Sequence, residues 1–544
     1  MKKYIYLCFA FLFAGQAFAQ KRPKLVVGIV VDQMRYDYLY RFQNKYSNGG
    51  FKRLLNTGYS FEQCHINYMP TFTAPGHACI YTGTTPSING IVANDWYERS
   101  INDTMYCVAD SNVSTLGSIN KKAGKMSPNN LYTTTITDEL RMATNKQGKV
   151  VAVCIKDRGS ILPGGHYPNG AYWFDNENGA FITSTYYTWS LPEWVAKFNN
   201  INLPETLINK TWDTYFPIKT YTESTADDVI YEAPLSKKEE RPVFPHKLGL
   251  IRKEGYGTLL TTPFGNTLLK EFALAALKNE DLGKDSITDF LSISFSSTDY
   301  VGHHFGTFSI ELEDTYIRLD RDIEEILNKL DAQVGKGNYL VFLTADHGAA
   351  HNVQYMKDRN MPAGLFNDSA MLDTLKTYLG YMNNDPIAIG YEKWGFYYEN
   401  QQIYLTVNGN TLSKNAPLPP AMYPFMDRIQ NMDGVDKVYT GSIMNESYTS
   451  NAPASLIQKG YRFERCGDII INLKPGWMEM PRKTGTTHGS PYDYDTHIPF
   501  VLMGWGIKQG QTSENVYMID IAPTISSLIK IPNPSGCVGK SVYR

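Results

Sequence analysis

Aspartate and histidine recur along this chain in short motifs, and a further histidine lies far downstream of them. Imidazole nitrogen and carboxylate oxygen are ligands of catalytic zinc, which keeps one coordination position open for substrate. These side chains divide into two sets of three possible ligands: Asp299, His303 and His488, and Asp32, Asp346 and His347. Two ions about 4 Å apart can hold the attacking and the leaving oxygen of a displacement reaction. The residue types therefore indicate metal-assisted hydrolysis.

Apolar, strand-like runs precede the acidic members of both sets. The runs 25–31, 289–295 and 339–343 are short and rich in β-branched or aromatic residues, as is typical of strands buried on both faces. Loops that leave the carboxyl ends of parallel strands meet at one edge of a sheet. We therefore expect Asp32, Asp299 and Asp346 to lie close together, although the sequence separates them widely.

A hydroxyl group that could act as a nucleophile belongs to Thr73, which stands just before Ala-Pro at the predicted start of a helix. Free amides and the positive end of the helix dipole favour an alkoxide and phosphate oxygens there. Metal coordination would lower the pKa of the hydroxyl further. Capping preference alone favours the alternative that Thr73 only caps the helix. The two ligand sets reverse that preference, while His77 is expected to be structural.

Three polar side chains could bind the remaining oxygens of a phosphoryl group. Lys156 and Arg158 follow the strand-like run 150–155 and so emerge at the same edge, and Asn94 offers an amide donor. Arginine binds phosphate through two parallel hydrogen bonds, and lysine acts as a point charge. A Lys-x-Arg sequence is usually part of a solvated loop, so this assignment depends on its position after a strand.

Strand-like runs alternate with helical patterns over most of the chain. A further run lies at 498–503, and a helix is predicted after Met518. The pattern predicts an α/β fold with a mostly parallel sheet flanked by helices. Turn-rich stretches at about 160–280 and 355–485 are predicted to be insertions. The second is bracketed by site residues, so it would return the chain to the site and cap a pocket.

The N-terminus has the pattern of a secretory signal. Lys2-Lys3 precedes an apolar stretch and Ala17-Phe18-Ala19, so we expect a signal peptide over residues 1–19 and a catalytic domain over 20–544. The alternative is a membrane anchor, but the apolar run is shorter than the roughly 20 residues that span a bilayer. The expected location is periplasmic or secreted, with no membrane span in the mature chain.

Composition and cysteine content narrow the function classes. A net charge of −2 over 544 residues does not suggest a nucleic-acid-binding protein. An exported protein can form disulfides. Four of its cysteines lie in loosely patterned sequence and are the better disulfide candidates: Cys64, Cys107, Cys466 and Cys537.

The site motifs together resemble those of the alkaline phosphatase superfamily, and most closely those of the phosphate-irrepressible, PafA-type bacterial alkaline phosphatases. The resemblance runs from about residue 22 to the C-terminus. The matching segments are Val30 to Arg35, Pro70 to His77, Gly90 to Trp96, Lys156 to Arg158, Ser297 to His303, Thr344 to Ala350 and Gly485 to His488.

The resemblance implies two zinc ions per chain. One would be held by Asp299, His303 and His488, and the other by Asp32, Asp346, His347 and Thr73. Thr73 would attack phosphorus and form a phospho-threonine intermediate, while Asn94, Lys156 and Arg158 would bind the phosphate oxygens. The chain has threonine where the better-known alkaline phosphatases have serine, and it lacks a recognisable ligand set for magnesium. The implied reaction is hydrolysis of a broad range of phosphate monoesters, which releases inorganic phosphate.

Two alternatives remain. A phosphodiesterase or nucleotide pyrophosphatase of the same superfamily would share the zinc ligands, the threonine and the asparagine, but its substrate carries one less charge, and Lys156 and Arg158 favour the monoester. A non-catalytic zinc- or phosphate-binding module would have an incomplete ligand set or no nucleophile, and here both are present. A sulfatase is excluded because no cysteine lies in the required Cys-x-Pro/Ala-x-Arg segment. A monomer is the default expectation for the oligomeric state.

Overall fold

A central sheet of eleven strands organises the molecule. The computed structural model describes residues 22–543 except 251, 253–254, 385–392, 415, 447–449 and 481. The predicted signal peptide lies outside the described residues. Across the sheet the strands are His497–Ile498, Tyr59–His65, Phe500–Gly504, Tyr339–Thr344, Leu25–Val31, Asp289–Phe295, Val150–Cys154, Gly170–Asp175, Ala180–Ser184 and Thr115–Leu116, and Gly510–Tyr517 pairs with Tyr59–His65.

The five strands from Tyr339–Thr344 to Gly170–Asp175 are parallel. Nearer both edges the pairs are antiparallel, apart from the parallel pair of Tyr59–His65 with Gly510–Tyr517. The α/β fold is thus confirmed, with a sheet that is parallel at its centre and mixed overall. Strand Leu25–Val31 is buried along its whole length, as expected of a strand covered on both faces. Its last residue, Val31, is in register with Phe295, and Val30 is in register with Thr344. The carboxyl ends of these strands therefore form one edge.

Helices flank the sheet and complete its core. The longer ones are Phe51–Thr57, Thr73–Thr82, Ile136–Ala143, Arg158–Gly164, Glu193–Asn200, Pro263–Asn279, Ser297–Phe305, Ile310–Gln333 and Ile521–Ile529. Shorter helices lie at Tyr38–Arg41, Pro86–Asn89, Leu203–Ile208, Gly257–Leu260, Val353–Lys357, Gly441–Glu446 and Asp493–Thr496, and a further helix as long as Phe51–Thr57 lies at Ala454–Gly460. Small two-stranded sheets pair Asp95–Glu98 with Asp103–Tyr106, Thr211–Trp212 with His246–Lys247, and Gly364–Leu365 with Trp477–Met478.

The stretch 355–485 contains a second sheet with its own apolar core. The strands are antiparallel and lie at Trp394–Glu399, Gln402–Val407, Asn410–Thr411, Val435–Thr440 and Ile469–Leu473, with helices Asp368–Asn384 and Met422–Gln430 beside them. The stretch 160–280 behaves differently. Gly170–Asp175 and Ala180–Ser184 join the central sheet, and helix Pro263–Asn279 packs against helix Ile310–Gln333. Parts of the stretch 160–280 therefore belong to the main core.

The six cysteines among the described residues are free thiols. Cys64, Cys107, Cys466 and Cys537, the four disulfide candidates, are all unpaired, as are Cys79 and Cys154. The disulfide expectation is therefore wrong for the described residues. Five of the six thiols are buried, where cysteine behaves as a small apolar residue. Within the described part of the chain, no helix is both long enough and apolar enough to cross a membrane.

Candidate active site

The predicted acidic ligands meet at the carboxyl edge of the parallel strands. Asp32 directly follows strand Leu25–Val31, and Asp346 comes two residues after strand Tyr339–Thr344. Asp299 lies in the first turn of helix Ser297–Phe305, which begins just after strand Asp289–Phe295. All three carboxylates are buried. The strand register places them side by side.

Two compact groups of metal-binding side chains form there. Asp32, Asp346 and His347 make one group, and Asp299, His347 and His488 make the other; within each, the ligand atoms lie within 4.8 Å of one another. The second group differs from the predicted set, because His347 replaces His303. The His347 ring stacks on His488 with ring centroids 3.5 Å apart. His303 remains close, with Nε2 3.1 Å from Oδ1 of Asp299.

The three histidines present the same nitrogen to the site. Nδ1 of His303 lies 2.8 Å from the carbonyl oxygen of Thr486. The corresponding distances are 2.9 Å from Nδ1 of His347 to the carbonyl oxygen of Gly348 and 2.7 Å from Nδ1 of His488 to that of Thr71. A carbonyl oxygen only accepts, so Nδ1 must donate in each case. Nε2 is then the free acceptor of the neutral ring, and a carbonyl on the other nitrogen is the usual support of a metal-binding histidine.

Burial and charge give the carboxylates unequal proton affinities. Burial, together with the charges of Asp299 and Asp346, raises the pKa of Asp32 to about 8. Burial also opposes ionisation of Asp299, but neighbouring His303 and Lys156 hold the pKa of that carboxyl well below its usual range. Oδ1 of Asp32 and Oδ2 of Asp346 are buried and have no hydrogen-bond partner among the described residues. Such oxygens suit a cation.

Thr73 is the first residue of helix Thr73–Thr82, and Phe72 occupies the capping position. The capping alternative is therefore wrong for Thr73. The buried hydroxyl oxygen lies 3.5 Å from Nε2 of His347. Asn94 accepts a hydrogen bond from the backbone N–H of Ala74 at 2.9 Å, which ties its amide to the same helix end. Nδ1 of His77 lies 2.9 Å from the carbonyl oxygen of Thr73, in keeping with a structural role.

The two predicted phosphate-binding cations lie beside the metal-binding groups. The Lys156 ammonium donates to Asp32 at 2.7 Å and to Asp299 at 2.6 Å. Burial opposes its charge, but these two carboxylates outweigh burial and raise the pKa of Lys156. Arg158 is the first residue of helix Arg158–Gly164, and its guanidinium Nη1 donates to the hydroxyl of Tyr106 at 3.1 Å.

Gln33 connects the two metal-binding groups, although it was not among the site residues predicted from the sequence. Its backbone N–H donates to Asp346 at 3.1 Å, and its side-chain amide donates to Asp299 at 2.6 Å. The residue has a φ of 64°, which is uncommon outside glycine and occurs at functional sites. Its place next to Asp32 was visible in the sequence. Neither the φ angle nor the contact with Asp299 could be read from it.

A comparison with known protein families shows which family this chain belongs to. Residues 26–495 match the family described as type I phosphodiesterase / nucleotide pyrophosphatase. The chain belongs to this family. The matched range begins in strand Leu25–Val31 and ends at Asp495, so it contains all the site residues described above.

Three relatives match over nearly their whole length. Alkaline phosphatase PafA of Elizabethkingia meningoseptica is 47% identical over 97% of this chain and 96% of the relative. A protein of Myroides odoratus named calcium-transporting ATPase is 45% identical, with 98% and 97% covered. Alkaline phosphatase PhoV of Synechococcus elongatus is 45% identical, with 99% and 98% covered.

Solved structures of alkaline phosphatase PafA share this fold. The wild-type crystal structure matches with a TM-score of 0.90 and 47% identity, covering 96% of this chain and 99% of that one. A variant with replacements at one threonine, one asparagine, one lysine and one arginine matches with a TM-score of 0.89 and 46% identity, with the same coverage. The four replaced residues have the same spacing along their chain as Thr73, Asn94, Lys156 and Arg158 have here.

Proposed function

We propose that this protein is a zinc-dependent phosphate monoester hydrolase of the alkaline phosphatase type, with Thr73 as its nucleophile. The observation that carries the proposal is the placement of two cations, Lys156 and Arg158, beside the two metal-binding groups and the threonine helix. A phosphate monoester brings two negative charges and three terminal oxygens. A diester brings one charge fewer and a second organic group. Two cations at the site therefore match the monoester.

The donor set fits two zinc ions. Asp32, Asp346 and His347 would hold one ion together with Thr73, and Asp299, His303 and His488 would hold the other. Imidazole and carboxylate are the usual ligands of catalytic zinc. The carbonyl contacts of the three imidazoles and the unpartnered oxygens of Asp32 and Asp346 support this assignment. Bound zinc would supply positive charge to the attacking and leaving oxygens.

The side chains of the chain itself perform the remaining tasks. The Thr73 oxygen attacks phosphorus, a P–O bond to threonine forms, and the P–O bond to the alcohol breaks. Water then hydrolyses the phospho-threonine, which releases inorganic phosphate and restores the hydroxyl. Lys156, Arg158 and Asn94 bind the non-bridging oxygens. The free backbone N–H groups at the start of helix Thr73–Thr82 favour the negative charge that gathers there.

The names of the relatives agree with this chemistry. Two of them are alkaline phosphatases, and the spacing of the four replaced residues in the PafA variant supports the roles of Thr73, Asn94, Lys156 and Arg158. The third name, calcium-transporting ATPase, does not require a different site, because release of the terminal phosphate of ATP is also a displacement at phosphorus. Small phosphate monoesters are the proposed substrates. We also propose that the protein is exported to the periplasm or the medium and that it is a monomer.

The deciding experiment compares two substrates on the mature, zinc-loaded protein. We expect kcat/KM for p-nitrophenyl phosphate to exceed that for methyl p-nitrophenyl phosphate by a large factor. Replacing Lys156 and Arg158 together by alanine should reduce monoester hydrolysis far more than diester hydrolysis, because the lost cations serve the second phosphate charge.

A matched control exists within the chain. Lys357-Asp358-Arg359 repeats the tripeptide Lys156-Asp157-Arg158 on an exposed surface, so alanine at Lys357 and Arg359 should leave both activities unchanged. A diester preference of the wild type would move the protein to the phosphodiesterases. No turnover of either ester by the zinc-loaded protein would favour the binding module.

A further inference from the structure

The guanidinium of Arg158 is held from one side only. Its Nη1 donates to the hydroxyl oxygen of Tyr106 at 3.1 Å, and its Nε is buried without a partner among the described residues. An arginine side chain has many rotamers, and ordering it costs free energy unless another group fixes its plane. Bidentate binding of a phosphate also requires the guanidinium to face its ligand in one orientation. The Tyr106 contact is therefore the one that sets this orientation.

The Tyr106 hydroxyl is an acceptor of the hydrogen bond from Arg158. It donates its single proton to Oδ1 of Asp157, which also accepts from the backbone N–H of Arg158 at 2.6 Å. Its lone pairs are consequently left for Nη1 of Arg158. The Asp157 carboxylate, which caps helix Arg158–Gly164, thus orients the hydroxyl, and the hydroxyl orients the guanidinium.

Tyr106 is also connected to the asparagine of the site. It ends strand Asp103–Tyr106, and it pairs with Asp95 at the start of the facing strand Asp95–Glu98. The next bond of this hairpin runs from the backbone N–H of Cys107 to the carbonyl oxygen of Asn94 at 2.8 Å. Asn94 and Tyr106 therefore lie at the open end of one hairpin. The hairpin fixes the distance between the asparagine and the support of Arg158.

We infer that Tyr106 is a positioning residue for phosphate monoesters, which holds the Arg158 guanidinium at a set place relative to Asn94. The inference rests on the proposed function, because it takes Arg158 and Asn94 as phosphate ligands. Tyr106 itself touches no substrate atom in this scheme. It acts through Arg158, so its contribution should be largest for the substrate that needs both cations.

The test is the variant Tyr106→Phe, which removes only the hydroxyl. We expect kcat/KM for p-nitrophenyl phosphate to fall roughly 10- to 150-fold, the usual effect of losing one hydrogen bond to a charged group. The inhibition constant of inorganic phosphate should rise by a similar factor. Hydrolysis of methyl p-nitrophenyl phosphate should change less than about threefold, because a diester depends less on the second cation. Zinc content should stay at the wild-type value.

A second tyrosine of the same hairpin provides the matched control. Tyr97 lies in the facing strand and packs its ring against Tyr397 at a centroid distance of 4.9 Å. Tyr97→Phe should leave both activities and phosphate inhibition unchanged. If it reduced monoester hydrolysis as much as Tyr106→Phe does, the effect would belong to the hairpin in general, and the inference would be overturned.

The double variant separates positioning from general stability. In an Arg158→Ala background, adding Tyr106→Phe should change monoester kcat/KM by less than about twofold, since the group it positions is gone. An undiminished loss in that background would overturn the inference, as would a poorly folded Tyr106→Phe variant whose zinc content and monoester activity fall together in both backgrounds. The proposed function fails by a different result, namely an Arg158→Ala variant with wild-type monoester activity.

Discussion

Thr73 carries the proposed chemistry at the scale of single residues. Thr73→Ala should abolish formation of a phospho-enzyme and lower kcat/KM for p-nitrophenyl phosphate by at least roughly 10³-fold, because no other hydroxyl replaces the nucleophile. The zinc content should persist, since Asp32, Asp346 and His347 remain. Acid-quenched labelling with radioactive substrate and metal analysis would measure both quantities. Thr73→Ser is the control, and it should retain labelling. Substantial turnover by the alanine variant would rule out Thr73 as nucleophile.

Gln33 is the residue whose role depends most on tertiary contact. Gln33→Met keeps the length of the side chain but removes the amide that donates to Asp299 at 2.6 Å. Groups that support metal ligands typically change metal affinity by about 10- to 100-fold when replaced. We expect the zinc dissociation constant to rise by that factor, as measured by competition with a chelator. The control is Gln63→Met in strand Tyr59–His65. The side-chain oxygen of Gln63 lies 3.2 Å from Nε2 of His65, a residue outside both ligand groups. Equal affinities of wild type and Gln33→Met would contradict the assignment.

At the scale of elements, the central strands could be predicted from the sequence because their runs are continuously apolar. Leu25–Val31 and Tyr339–Thr344 are buried at every residue. Strand Tyr59–His65, which lies near one side of the sheet, is buried at only some positions, so its residues show no such run. Gly170–Asp175 was hidden in a turn-rich stretch although it belongs to the main sheet. The ligands could be predicted because they follow strands, whereas the His347 contact with His488 depends on how distant loops pack.

Helix Thr73–Thr82 approaches the neighbouring ligand loop closely at a glycine. A Cβ atom on Gly76 would lie 2.4 Å from the carbonyl oxygen of Asp346 and 2.6 Å from its Cβ. Moving the backbone of Asp346 costs more free energy than moving the end of a flexible side chain. Gly76→Ala should therefore shift the helix relative to Asp346 and displace Thr73. A misplacement of about 1 Å can cost roughly 10²-fold in rate. We expect a loss of that order in kcat/KM for p-nitrophenyl phosphate.

The control for this prediction is a glycine in open space. Gly380 lies in helix Asp368–Asn384, and no atom lies within 4 Å of the position its Cβ would take. Gly380→Ala should keep full activity and raise the free energy of unfolding by up to about 1 kcal/mol, as expected for alanine in a helix. Wild-type activity in Gly76→Ala would show that the helix position tolerates this displacement.

At the scale of the whole molecule, an acidic cluster around the buried side chain of Glu232 links stability to pH. Glu232 is 5% exposed, and neither of its carboxylate oxygens has a hydrogen-bond partner among the described residues. Burial, followed by the charges of Glu311, Asp227 and Asp228, raises the pKa of Glu232. The cluster lies close to the site, because the carbonyl oxygen of Tyr231 accepts from the backbone N–H of Gly485 at 2.8 Å in the segment leading to His488. A charged Glu232 therefore opposes the folded arrangement of that segment.

The sign of the pH effect follows from the raised pKa of Glu232. The folded state binds the proton more tightly than the unfolded state, so this contribution to stability is complete below the ordinary carboxyl value of 4.5. It is lost progressively as the pH rises towards the folded pKa. Glu232→Gln removes the charge, and it should raise the free energy of unfolding at pH 9 by at least about 1.4 kcal/mol, the value of one pKa unit. The gain near pH 5 should be smaller.

Denaturant unfolding of the zinc-loaded protein at several pH values would measure this difference. Glu514→Gln, at an exposed position of strand Gly510–Tyr517, is the control and should change neither the stability nor its dependence on pH. A Glu232→Gln variant whose stability declines with pH as steeply as that of the wild type would show that Glu232 does not carry the effect. A flatter profile in the variant would mean that the charge on Glu232 destabilises the wild type at alkaline pH, where the proposed hydrolysis proceeds. The segment that leads to His488 would then be less stable at that pH than at neutral pH.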